Sequence, residues 1–282
     1  MQQNTTTTYS QPAASLVAPA FTASPTQSRL QTAGRIIYGS ALLAFGLELL
    51  LTGAPLKGLM PLPTPAGLGP VLVYGTGALL AVAGAGIIVG YQLRLAAWLA
   101  VAVLGAVLLL THVFKLLAAP LNPREWTPTF ELVAMLGGAL VLAGRPRLGR
   151  RLVAVALLVF AVLHALFGPF VATLIPAWIP GRLFWAYFVG AAFLAAGLSL
   201  LLNRYVRLGA GLLGLMFSLW VLGLHGPRVL ANPLIEAEWT SAVLALGMAG
   251  VGYLLARSTA SPQSISAEPH DLVPSVPKLG AS

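Results

Sequence analysis

From residue 34 to residue 256 the chain alternates long apolar runs with short polar breaks. Eight runs stand out, at 34–53, 69–90, 93–114, 127–144, 151–168, 182–202, 205–224 and 239–256. Each is about 20 residues, the length of helix that crosses ~30 Å of hydrocarbon. Membrane-spanning strands would alternate apolar and polar residues, whereas these runs are continuously apolar. The pattern therefore predicts an all-α, polytopic membrane protein with eight transmembrane helices. The flanking segments 1–33 and 258–282, rich in Ser, Thr, Gln, Ala and Pro, read as disordered tails.

The polar residues between the runs repeat. Residues 74–127 lie over residues 187–240 without a gap, at an offset of 113. His112, Lys115, Pro120, Glu125, Trp126 and Thr127 fall on His225, Arg228, Pro233, Glu238, Trp239 and Thr240. Apolar helices resemble one another by composition alone, so the shared polar positions are the stronger sign of duplication. Four crossings return a chain to its starting side. The copies, 34–145 and 146–257, are thus predicted to run parallel about an axis along the membrane normal, with their polar rims on one side. The first helices match in either of two registers: an offset of 116 sets Arg35 on Arg151 and Glu48 on His164, whereas 115 sets Phe45 on Phe160 and Pro61 on Pro176.

Composition agrees with the pattern: 58% hydrophobic, 8% charged, mean hydropathy +0.87. Of the 16 Lys and Arg residues, all but Lys57, Lys115, Arg124, Arg182 and Arg228 fall on the side of the termini. That bias predicts both termini in the cytoplasm. The cluster Arg145, Arg147, Arg150 and Arg151 would face anionic head groups. Membrane lipids thus account for the net charge of +9 without nucleic acid as a partner.

Ionisable residues inside a membrane are costly and face protein or a cavity. Glu48 lies about 20 Å along its helix from Arg35 and His112 about 27 Å from Arg94, while Glu131 sits somewhat deeper than Trp126. With Lys115, these form the candidate proton or ligand site, and His164 is its candidate in the second copy, where Leu244 replaces Glu131. The repeat-related rim comprises Glu125, Trp126, His225, Arg228, Glu238 and Trp239. Each has a simpler reading: interface anchors for the tryptophans, snorkelling for Lys115 and Arg228, helix-dipole complement for Glu125 and Glu238, and satisfied interfacial histidines. The apolar outer loops, 55–63 and 170–180, fit either a lid over a ligand or a plug for the bundle.

Other chemistry is excluded or demoted. Without cysteine there is no thiol relay or thiolate-bound cluster. No metal site or hydrolase triad is predicted, and the paired His112 and His225 lie too near helix ends for a haem buried in the bundle. Gly75-Thr76-Gly77 and Gly84-Ala85-Gly86 sit inside an apolar run, where small residues serve close helix packing rather than a nucleotide.

Four-helix units with a proline-rich apolar first outer loop and a glycine-containing second helix resemble the DoxX-like membrane proteins. That helix opens at Tyr74 or Phe184-Trp185-Ala186-Tyr187, and a short basic turn follows at Arg94 or Arg207. The second copy matches better, through Pro176-Ala177-Trp178-Ile179-Pro180-Gly181 and Phe188-Val189-Gly190, and the resemblance covers about 34–257. It implies a multi-pass protein of the bacterial inner membrane, in a superfamily that includes a membrane subunit of thiosulfate:quinone oxidoreductase. The expectation is a subunit supporting redox chemistry by binding a quinone or anchoring a membrane or periplasmic redox partner. Two alternatives are a proton-coupled transporter of small solutes or lipids and a structural partner. The chain departs from the family in being duplicated. It also lacks the acid that many members carry a few positions after a glycine like Gly77 or Gly190; Leu80, Ala81, Phe193 and Leu194 stand there.

Overall fold

The structure, a computed structural model, describes residues 25–61 and 69–257. The expected C-terminal tail, most of the N-terminal one, and Leu62 and Pro63 of the first outer loop lie outside the described residues.

Every regular element among the described residues is helical. In chain order they are α1 (Pro25–Thr52), α2 (Gly69–Val89), α3 (Leu93–Val107), a π-helical turn π1 (Leu108–His112), α4 (Val113–Ala118), α5 (Pro123–Leu142) and α6 (Pro146–Leu174). Then follow α7 (Arg182–Leu201), α8 (Val206–Trp220), a second π turn π2 (Val221–His225), α9 (Gly226–Ala231) and α10 (Glu236–Arg257). Among the described residues, seven helical stretches are long and apolar enough to cross a membrane, two of them running from α3 through α4 and from α8 through α9. α5 has the length but falls outside this set, because Glu125, Thr127, Pro128, Thr129 and Glu131 crowd its first half. α1 starts at Pro25, ahead of the expected residue 34, so the helix takes in part of the predicted tail. α6 runs on to Leu174, past the expected end at 168, across a kink at Phe167 (φ −118°, ψ 23°) just before Pro169.

Within the first half α1 packs on α2, α2 on α3 and α3 on α5; within the second, α6 on α7, α7 on α8 and α8 on α10. Between halves, α5 packs on α6, α10 on α1, and α5 on α10. The core follows these contacts, with Tyr38, Phe45 and Leu49 of α1, Met135 of α5, Leu157 of α6 and Leu255 of α10 fully or almost fully buried. Outward positions stay apolar, among them Leu51, Val82, Leu95, Phe114 and Leu222, as expected where the solvent is lipid.

Glycine sets the closest crossings. A Cβ on Gly46 would lie 2.6 Å from the Gly77 carbonyl oxygen, and one on Gly250 would lie 2.6 Å from the Tyr38 nitrogen. Such contacts let backbones meet where hydrophobic solvent gives helices no drive to associate. Of the glycine pairs inside the second apolar run, Gly77 and Gly84 make these crossings, whereas Gly75 faces open space.

Candidate functional site

α1 and α10 meet at their rim ends. Thr240, buried on α10, directs its Oγ1 to Glu48 Oε1 at 3.3 Å and to Glu236 Oε1 at 3.0 Å. A hydroxyl carries one proton, so it donates to one carboxylate at a time. Glu48 Oε2 is buried with no hydrogen-bond partner. The arrangement therefore lacks a donor, which a further proton or a ligand would supply. Glu236 and Thr240 are one helical turn apart, on one face, and Glu236 stands in the first turn of α10, where a carboxylate complements the helix dipole.

The first outer loop covers this junction. Leu56, Leu59 and Met60 are 1%, 1% and 2% exposed, and Gly58 packs against the Thr240 methyl. His112, 1% exposed at the end of π1, donates from Nε2 to the Leu59 carbonyl at 2.9 Å. The bond requires the proton on Nε2. His112 thus pins the loop, and the described part of the loop plugs the bundle.

The second half differs. Its outer connection lies mostly at the surface, with Trp178 73% exposed. His225, at the matching end of π2, is only half-buried, and its Nδ1 is enclosed with no hydrogen-bond partner. His164 donates from Nδ1 to the Phe160 carbonyl at 2.8 Å and meets the Phe193 ring edge-on at a centroid distance of 5.2 Å.

The rim residues are largely engaged within the protein. Trp126 and Trp239 donate from Nε1 to the carbonyls of Pro120 and Pro233, each at 2.9 Å, closing the turn before α5 and before α10. Arg228 Nη2 donates to Glu238 Oε1 at 3.0 Å. Its Nε lies 2.8 Å from Oε2 outside hydrogen-bond geometry, so that arm is an ion-pair contact only. Glu125 is reached weakly by Asn122 Nδ2 at 3.5 Å, and Lys115 is exposed. Glu131 is half-buried, with no hydrogen bond or ion pair found for it among the described residues.

The expected grouping of Glu48, His112, Lys115 and Glu131 is accordingly not what the contacts join. Glu48 couples to Thr240 and Glu236 of the second half, and His112 to the loop. Thr240 had appeared only as a repeat match and Glu236 not at all, although their i, i+4 spacing at a helix start placed them on one face. Among the described residues no group of His, Asp and Glu could hold a metal ion. No protein-family model, curated protein or solved structure matches the chain.

Proposed function

We propose that this chain is a duplicated, DoxX-like membrane protein that supports redox chemistry by holding a quinone-class ligand at the junction of its two halves. Support for the duplication comes from features recurring at the sequence offset of 113: the π turns ending at His112 and His225, and the Trp126 and Trp239 turn closures. The packing pattern is also unchanged when the halves are exchanged, α5 on α6 corresponding to α10 on α1. α5 counts as the eighth span in this reading, since it packs on α3, α6 and α10 with Thr129 buried and Glu125 and Glu131 half-buried.

The observation that carries the ligand proposal is the donor-deficient carboxylate pair. Glu48, when protonated, donates from Oε2 to a ligand carbonyl oxygen and leaves the Thr240 hydroxyl to Glu236. A membrane or periplasmic redox partner would dock on this rim. The setting proposed is the bacterial inner membrane, with both termini cytoplasmic. Organic extraction of gently purified protein should release quinone, and Glu48→Leu, which removes the donor at similar volume, should lower the bound amount about ten-fold, the equivalent of ~1.4 kcal/mol. Protein that carries no quinone, or a variant that retains it fully, would end this reading.

One observation favours a transporter instead: Glu131, an acid within α5 with no partner found for it. Proton-coupled uptake into vesicles, lost in Glu131→Gln, would decide for that alternative. The described helices argue the other way, since their π turns and kink lie toward the rim rather than at midspan, where transporters break their helices.

A further inference from the structure

The end of the bundle opposite the rim carries arginines with no counter-charge among the described residues. Its turn, residues 143–145, joins the two halves through Gly144, whose φ of +86° favours glycine. Beside the turn lies a cleft of about 530 Å³, walled by Trp98, Leu140, Gly144, Arg145, Arg147 and Leu148. Arg94 borders it, since a Cβ on Gly144 would lie 3.8 Å from Arg94 Nε. Arg150 stands one turn further along α6. Its Nε is buried without a hydrogen-bond partner, and its charged neighbours are Arg147 and Arg151.

Nothing acidic offsets this cluster among the described residues. The chain has seven acids, Glu48, Glu125, Glu131, Glu236, Glu238, Glu268 and Asp271. The first five lie on α1, α5 and α10, away from this turn, and the last two lie outside the described residues. Like charges held this close repel, and an enclosed guanidinium N–H needs an acceptor. An anion would supply both a counter-charge and an acceptor.

We propose that this cleft binds an anionic phospholipid, its phosphodiester held by Arg145 and Arg147 with Arg94 alongside, and its glycerol and acyl portion against Trp98, Leu140 and Leu148. A lipid is favoured over a free anion because half of the wall is apolar and opens onto the lipid-facing surface. Trp98 is 38% and Leu148 49% exposed there, and a tryptophan at this depth is a head-group anchor. Basic clefts between membrane helices are known receptors for acidic head groups. The site is independent of the outer rim and of any ligand there.

The test uses the full chain purified in mild detergent, offered mixed phosphatidylglycerol and phosphatidylcholine, with bound lipid counted by native mass spectrometry. Wild type should retain phosphatidylglycerol in preference to phosphatidylcholine, and Arg147→Gln should reduce that preference roughly five-fold, the equivalent of about 1 kcal/mol per arginine. Leu148→Ser should weaken lipid retention, whereas Arg124→Gln on the rim should leave it unchanged. Equal retention of the two lipids by wild type would overturn the proposal, as would a preference untouched by Arg147→Gln. Displacement of the lipid by equimolar inorganic phosphate would also overturn it, in favour of a free-anion site. Should Arg147→Gln fail to survive extraction, Arg145→Gln carries the same comparison.

Discussion

His112 illustrates how a single side chain can be structural while looking chemical. Its Nε2–H holds the Leu59 carbonyl, so the apolar loop stays down on the bundle. Substituting phenylalanine keeps the ring volume and removes the donor, leaving a buried carbonyl unsatisfied at a cost of about 1–3 kcal/mol. Because the chain has no cysteine, a Met60→Cys reporter can be labelled without background. Labelling should be slow in that protein and markedly faster once His112→Phe is added; equal rates would show that the loop is held by apolar burial alone. The sequence singled out Glu48 and His112 as ionisable residues within apolar runs. It could not reveal that one bonds across the halves and the other to a loop, because partners 192 and 53 positions away are chosen by packing.

At the scale of elements, helix type and approximate extent were readable from the continuous apolar runs, since only helices satisfy a backbone in hydrocarbon. The π turns were not, because inserting one residue into a helical turn leaves no mark in the apolar pattern. The glycines of α2 also looked equivalent in sequence, yet they divide by the face they occupy. Gly84→Leu should force α1 and α2 apart and cost at least ~1–3 kcal/mol by overpacking, seen as loss of monodisperse protein on gel filtration. Gly75→Leu, in open space, should behave as wild type. Similar behaviour of the two variants would refute the close-packing role.

For the whole molecule, the contacts between halves matter more than the peptide that joins them. Each half offers its first and last helices to the other, through α1 against α10 and α5 against α6. Neither half alone covers those faces. Cleaving the chain at the 143–145 turn and co-expressing the pieces should therefore give a complex that co-purifies on a tag carried by one piece. Recovery of the tagged piece alone would mean that the linker, rather than the interface, holds the protein together.

The tryptophan turn closures have a mechanical consequence. Each ties residues six apart through a bond made wholly within the protein, so the geometry of the turn does not depend on where the head groups lie. A bilayer that becomes thinner or thicker must then be accommodated by tilt of the long helices below. The rim acts as a stiff collar, and the carboxylate junction beneath it keeps its spacing while the membrane around it changes depth.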